Sequence, residues 1–444
     1  MTDTQPTLNS LAAKISALSD TLTKYLSENN VPTPTFSADS PTSYENLSPE
    51  IFMTRQVLLD AVNDLWYLTQ GPSESIFNYV HNCMPDAAAI NILNFFDFWS
   101  AVPVKGSASY AEIAAHVSLP EDVVFRVLQH AITLRMFSET SSGVQHTSRS
   151  AALAQSAGLR ALVSTILDDA GAPMMVMNHA LQKYSQGKPD LTQDMGETSF
   201  ALFHSGGAFG GHRTSWDLLE NDGEGEKKGW RQRNFVTFMR YVKDIFHLEG
   251  VVLDAHDWKS AGKASVVDLG GSAGHDAVIL ANAFPNLTIT VQDLPECKPV
   301  FEADLPAEMK SRVSFMEHSF FEPQPLQADI YILKMILHDW PDHDAVQILR
   351  ALTPSLHAGA RVILFEYVGG ANRGGSDGPA MPRSLSQMGT STDLRLMALF
   401  NGKERPVEAW RKIFHLADER FEVGEIKTNA QQNFFTVIEA AWRG

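Results

Sequence analysis

The sequence predicts an α/β fold: a mostly parallel, Rossmann-like C-terminal sheet with an antiparallel last strand, preceded by a helical domain that ends in a winged helix. Three observations lead there. Short β-branched runs at 265–269, 287–292, 313–316, 328–333 and 361–367 alternate with helical or turn segments, the texture of consecutive βαβ units covered on both faces. Two further runs, 421–428 and 433–440, are joined by a short turn, and a hairpin makes one of them antiparallel. Ahead of residue 152 the apolar residues recur instead with helical spacing.

Size and composition frame this reading. At 444 residues, 44% hydrophobic and 20% charged, the chain suits two globular domains and neither a disordered nor a disulfide-framework protein. Its 35 basic and 52 acidic residues leave a net charge of −17, which repels a phosphate backbone or an anionic membrane. No nucleic-acid or membrane partner is expected. Cys83 and Cys297 are the only cysteines and form no Cys-x-x-Cys pair, so neither a disulfide scaffold nor a thiolate zinc site is implied. The amino terminus, MTDTQPTLNSLAAKI, lacks a signal peptide's basic start and apolar core and carries Asp3. A cytoplasmic protein is expected.

In the helical part, Leu11, Ile15, Leu18, Leu22 and Leu26 form the seam of an amphipathic helix over 7–29. With no evident destination in the chain, that seam is expected at a homodimer interface. A Pro- and Ser-rich linker, 31–49, leads to a second helix from Ser48 to Leu68 that starts at Ser-Pro. Residues 87–104 are the most apolar stretch, yet Asn91, Asn94 and Asp97 recur three apart and mark a polar stripe on a core helix, not a membrane span. Through residue 152 the order is helix, short helix, longer helix, then extended runs around Phe137–Glu139 and Val144–His146, which is the order of a winged helix. Its candidate recognition helix, Pro120 to Arg135, sets Arg126 and Arg135 against Glu121 and Asp122 and so lacks the basic footprint of a DNA reader. Residues 205–229, with seven glycines and an acidic run around Glu220 to Glu226, are expected to be a mobile surface loop, and 369–390 a second loop. The domains are placed at 1–240 and 241–444, without internal repeats.

The strongest local signal is VVDLGGSAGHD, residues 266–276. A strand ends at Asp268-Leu269; Gly270, Gly271 and Gly274 allow a tight turn and close ligand approach; a helix begins near His275. Ser272 breaks the Gly-x-Gly-x-x-Gly of a dinucleotide site. Asp268 would face a pyrophosphate there, whereas it attracts the amino group of S-adenosyl-L-methionine (SAM). The next strand ends in Gln292-Asp293, where a carboxylate can accept hydrogen bonds from both ribose hydroxyls. A glycine turn by itself is equally a structural device. The turn, Asp268 and Asp293 together indicate SAM as the cofactor.

On these residues, and over nearly its full length from the winged-helix front to the terminal hairpin, the chain resembles the plant and fungal small-molecule O-methyltransferases of the caffeic acid and flavonoid type. The resemblance implies a SAM-methyltransferase sheet and a homodimer whose front domain intertwines with its partner. It implies cofactor contacts from Gly270 and Asp293, with Lys334, in ILKMILHDW, lining the same pocket. One position departs. The family usually has Asp-Met or Asp-Phe where this chain has Ser319-Phe320, so the carboxylate that grips the adenine amino group is missing; Phe320 can still stack on the base, and a water-mediated contact or a weaker hold replaces the rest.

Methyl transfer from a sulfonium to oxygen is an in-line displacement, and a neutral phenol or alcohol needs a base to take its proton. His338 lies just beyond the strand ending near Leu333-Lys334, Glu366 sits near the end of the next in VILFEYV, and Glu404 stands in GKERP before a helix. Each alone has an ordinary reading: a structural histidine, a strand carboxylate paired with a donor, a charge at a helix start. All three match the family's catalytic set of one histidine with two orienting carboxylates. The base's pKa is then expected near or somewhat above the unperturbed ~6.5. Asp339 is assigned to capping the turn. The run HDWPDHD, 338–344, also permits a magnesium site, but Pro341-Asp342 more simply starts a helix; no metal is expected. Met174, Met175, Met177, Met388, Met397, Phe400, Trp410 and Phe414 either wall a small-molecule acceptor or belong to the core.

The leading expectation is a SAM-dependent O-methyltransferase acting on a phenolic or enolic secondary metabolite. A SAM-bound enzyme of the same fold turned to dehydration or pericyclic rearrangement is the alternative, and a SAM-sensing winged-helix regulator the third.

Overall fold

The computed structural model describes residues 5–44, 47–206, 209–245, 249–368, 381–424, 426 and 435–444. The chain divides into two compact units: one holds Met1–Ala172, Leu219–Ile245 and Pro382–Leu385, the other Pro173–Leu218, Phe246–Met381 and Ser386–Gly444.

In the first unit, helix α1 (Leu8–Glu28) opens at Thr7, whose side chain accepts the Ser10 N–H, and α2 (Pro49–Gln70) opens at Ser48 in the same way. The two helices lie side by side. Leu11, Leu22 and Leu26 are buried, the last two packing with Ile51 of α2 and with Tyr44 and Leu58. The seam therefore has a partner within the chain, which corrects its expected place at an interface between copies. The apolar surface left over lies one helix further on: Trp66 and Tyr67 of α2 and Ile76, Phe77, Tyr79 and Val80 of α3 (Pro72–Phe95) are each more than half exposed.

The expected helix over 87–104 breaks. Phe95 ends α3, Asp97 takes a left-handed φ of 50°, and a short helix α4 (Phe98–Ala101) follows. Asn94 is no surface polar residue: its Nδ2 donates to the Arg160 carbonyl and Ser164 Oγ, and its Oδ1 accepts the Trp99 indole N–H at 3.0 Å. These bonds let a polar group sit beside the core. The winged helix follows as α5 (Tyr110–Val117), α6 (Glu121–Thr133) and the antiparallel pair β1 (Phe137–Thr140) and β2 (Gly143–His146). Leu93, Trp99, Ile113, Leu128, Phe137 and Val144 share its core.

The second unit is built on a sheet of β3 (Ser265–Leu269), β4 (Thr288–Asp293), β5 (Val313–Glu317), β6 (Ile330–Lys334), β7 (Arg361–Glu366), β8 (Phe421–Val423) and β9 (Thr436–Trp442), in the order β5-β4-β3-β6-β7-β9-β8. β3 to β7 are mutually parallel, and β9 runs antiparallel to both β7 and β8. The strand order reverses between β3 and β6, so a crevice for ligands opens at their carboxyl ends. Parallel strands buried on both faces demand apolar side chains, and Val267, Leu269, Tyr331, Leu333, Val362 and Leu364 supply them.

Two expected loops differ. Within 205–229 a helix, Ser215–Asn221, buries Leu218 and Leu219, and Trp216 stacks on Phe400 with centroids 4.8 Å apart. The glycines flanking this short apolar pattern masked it. Residues 381–390 likewise begin the helix Arg383–Phe400, while 369–380 lie outside the described residues. Of the expected terminal runs, 424 and 426 are not strand, and 425 and 427–434 are outside the described residues. Among the described residues no helix is long and apolar enough to cross a membrane.

Truncating Leu26, 2% exposed, to Ala is expected to destabilise the helical unit by about 2–4 kcal/mol, whereas Leu8→Ala, on the exposed side, leaves it within experimental error. Denaturant unfolding checks the pair, and equal midpoints would show that α1 does not hold to α2 through this seam.

Candidate active site

The chain leaves β3 through a turn that only glycine fits at two places. Gly270 has φ 70° and a Cβ there would lie 2.5 Å from Ile336 Cδ1; Gly274 has φ 73° and its Cβ would meet the Phe301 ring at 2.7 Å. At Gly271 a Cβ would lie 2.5 Å from Asp268 Oδ2. The crowding atoms belong to the protein, so the glycines serve close packing of the turn itself, and the backbone N–H groups of the following helix, His275–Ala283, are left pointing to the strand ends.

Asp293, at the end of β4, closes the turn from the side. Its Oδ2 accepts the Ser272 N–H and its Oδ1 the Leu294 N–H, both at 2.7 Å. Burial pushes its carboxyl up, opposed by these two bonds and by the Cys297 thiol. Asp268 is buried behind the glycines, and burial together with Asp276 raises it to about 7 while Lys334 opposes. Lys334, ending β6, donates to Asp276 Oδ2 at 2.8 Å. Ser319 Oγ accepts the Phe321 N–H at 3.4 Å, a turn contact. Phe320 lies beside Gly270, 3.9 Å from the position of a Cβ there, and meets Trp340 edge to face. Asp268, the three glycines, Asp293, Phe320 and Lys334 thus surround the ends of β3, β4 and β6. A turn crowded by the protein, a carboxylate at its side and an aromatic face above suit a nucleoside with a cationic sulfonium and amino group.

The second cluster stands at the end of β6. Met335, with φ 56°, turns the chain into a short helical turn, Leu337–Asp339, that carries His338. His338 Nδ1 is 3.1 Å from Glu404 Oε1 and 3.8 Å from Glu366 Oε2. Glu366, on β7 and fully buried, accepts the Leu337 N–H at 2.8 Å. The three residues proposed from separate motifs therefore meet. Asp339, assigned to capping, has its Oδ1 3.6 Å from His338 Nε2 and belongs to the cluster instead. Burial opposes charge on the imidazole, but Asp339, Glu366 and Glu404 outweigh it and raise His338 to about 10, well beyond the modest rise anticipated. Burial likewise raises Glu366 to about 7 and Asp339 to about 6.

Sequence reasoning passed over the residue that shapes this turn. Arg405 has no exposed surface; its Nη1 donates to the Leu337 carbonyl, its Nη2 to the Trp340 carbonyl and its Nε to Asp342 Oδ1, at 2.7, 2.6 and 2.8 Å. An arginine directly after a candidate glutamate, in GKERP, was the available signal. Asp342, considered as a metal ligand, is engaged by Arg405 and Lys403. Among the described residues no three His, Cys, Asp or Glu side chains converge as a metal set. Of the residues considered for an acceptor wall, Trp410 and Phe414 lie in the sheet's core, Met175 is exposed, and Met177 and Met397 line one small cavity with Asn401.

Residues 225–418 match the O-methyltransferase domain family. The chain is 42% identical over 438 residues to the O-methyltransferase lcsG of Purpureocillium lilacinum, covering 97% of this chain and 92% of that protein. Among solved structures it is similar to LepI in complex with SAM (TM-score 0.69, 20% identity, 97% and 99% of the two chains). It is also similar to a pericyclic reaction enzyme (TM-score 0.68, 21% identity, 97% and 100%).

Asp293→Ala is expected to weaken SAM affinity by more than about tenfold, since a charge-assisted acceptor is lost, and Asp293→Asn by less, because one acceptor oxygen remains. Calorimetry decides; unchanged binding in both variants places the nucleoside elsewhere.

Proposed function

The chain belongs to the O-methyltransferase family and uses SAM; from that premise we propose that it methylates a hydroxyl oxygen of a phenolic or enolic natural product, with His338 as the base. The observation that carries this reading is the pairing of His338 Nδ1 with Glu404 at 3.1 Å. A proton held on Nδ1 by Glu404 leaves the lone pair on Nε2, and Asp339, 3.6 Å from that nitrogen, is beyond hydrogen-bond reach. Nε2 is then the atom that takes the acceptor's proton, and the carboxylates stabilise the imidazolium as it forms. Glu366, by accepting the Leu337 N–H, fixes where the ring stands. Asp268, Asp293 and Lys334, with the turn from Gly270 to Gly274 and with Ser319 and Phe320, hold the cofactor, which supplies an electrophilic methyl group when bound.

One observation favours a second reading. An imidazole raised to about 10 is charged at neutral pH, and an imidazolium donates a proton or polarises a carbonyl, as a dehydration or rearrangement requires. SAM labelled in its methyl group separates the two: label in the product supports transfer, and product without label supports the second reading.

We also propose a homodimer in the cytoplasm. Trp66 and Tyr67 of α2 and Phe77 and Val80 of α3 are large apolar side chains each more than half exposed; exposed apolar surface marks interaction sites, and a second copy covers it by symmetry. Phe77→Glu with Val80→Glu is expected to yield monomers by sedimentation; a dimer surviving both changes assigns the interface elsewhere.

His338→Ala is expected to lower methyl transfer to an un-ionised acceptor by ~10²–10⁴-fold while leaving SAM affinity nearly intact. For the wild type, the neutral base appears only as pH rises through the raised value, so kcat/KM climbs along a limb well above the ordinary imidazole range. Glu404→Gln removes one raising charge and moves that limb to lower pH. Full activity of His338→Ala, or a limb that Glu404→Gln does not move, overturns the base assignment.

A further inference from the structure

Arg395 stands on the helix Arg383–Phe400, two residues after Asp393, whose Oδ1 accepts the Glu404 N–H at 2.7 Å and ties this helix to the Glu404 loop. The side chain is part-buried. A guanidinium has five N–H donors, and two arginines of this region use theirs differently. Arg405 directs its three nitrogens to two carbonyls and a carboxylate. Among the described residues, Arg395 makes one hydrogen bond, from Nη2 to Thr392 Oγ1 at 3.3 Å, and no ion pair. Burial lowers its affinity for a proton, while Asp339 and Glu404 oppose that through space. A part-buried cation whose donors are mostly uncommitted, on a helix tied to the loop that carries Glu404, is suited to a planar oxyanion.

We propose that Arg395 selects the acceptor: a planar enol or phenol carrying a second oxygen conjugated to the one that is methylated, so that its anion is delocalised, with the guanidinium on the second oxygen. The proposal rests on the methyl-transfer reading and adds the substrate class to it. A cation bound to the reacting oxygen would blunt its nucleophilicity. On the conjugated oxygen it stabilises the anion and leaves the reacting oxygen free. In the transfer, an oxygen lone pair forms the new O–CH3 bond as the S–CH3 bond breaks and its electron pair stays on sulfur. The acceptor's proton has by then gone to His338, or to solvent where the acceptor enters ionised. Asp339, Glu366 and Glu404 disfavour an isolated anion nearby; Arg395 and a charged His338 offset them.

Two isomeric planar probes test this on the full-length protein loaded with S-adenosylhomocysteine, by calorimetry in mildly acidic buffer. 4-Hydroxycoumarin, a vinylogous acid, is ionised there, and 6-hydroxycoumarin, a phenol whose oxygen is not conjugated with the lactone carbonyl, is not. Wild type is expected to favour the first. Arg395→Gln should lose about ten- to a hundredfold for it with little change for the second, and Arg395→Lys should regain part of the loss. Unchanged S-adenosylhomocysteine affinity shows that the variants are folded, and should Arg395→Gln fail that check, Arg395→Lys carries the comparison. No binding of the anion to wild type, equal affinity for the two probes, or an equal loss of both in Arg395→Gln overturns the assignment. Labelled SAM separates the premise: Arg395-dependent anion binding with no label in any product keeps the anion site and removes methyl transfer.

Discussion

The Arg405 guanidinium directs its whole charge inward, and the turn from Leu337 to Asp342 is shaped around it. It ties two carbonyls of that turn and the first carboxylate of the next helix into one unit. From the opposite side Glu366 accepts the Leu337 N–H. The Lys403 N–H donates to the His338 carbonyl, and a Cβ at Gly402 would collide with that same oxygen. A buried ion of this kind is sustained only when its donors are satisfied, and breaking one such pair typically costs about 3–5 kcal/mol. The orientation of His338 is therefore set by bonds to its backbone before its ring makes any.

That placement brings one imidazole among three carboxylates, of which Glu366 and Glu404 are buried and Asp339 is partly exposed. Burial resists ionisation of Glu366 and Asp339, and the Glu404 charge adds to it, which is why both rise, while a cation among the carboxylates is stabilised enough to outweigh its own burial, which is why His338 rises. The cluster is thus a proton store whose state depends on what charge arrives beside it. Both functional readings draw on that property. They differ in whether the ring is empty or loaded when the substrate is in place.

The two halves of the site are coupled through direct packing. Gly270, in the turn after β3, has room only for hydrogen where Ile336 leans over it, and Ile336 is two residues from His338. β3 and β6 are hydrogen-bonded neighbours from Val266↔Ile330 to Leu269↔Leu333. A shift of the glycine turn therefore presses on the histidine turn, so that a residue such as Asp293, which braces the first, also bears on the second.

The sheet was legible in the chain alone, because strands buried on both faces must be apolar and β-branched, and that signature is local. The glycine turn with Asp268 and Asp293 was legible too, since its spacing follows from one βαβ unit, and the family resemblance singled out His338, Glu366 and Glu404, which the fold brings together. The winged helix was equally legible from the order of its elements. Packing in three dimensions was needed to show where the Leu11 to Leu26 seam goes, that Asp339 joins the histidine cluster, and that the glycine-rich stretch before residue 229 holds a helix stacked through Trp216 on Phe400. It alone showed how far the imidazole is raised and that Arg405 is saturated while Arg395 is not. Periodicity and turn chemistry depend on neighbours in the chain, whereas burial, ion pairing and pKa depend on groups brought together from distant parts of it, as Arg405 and Leu337 are from 68 residues apart.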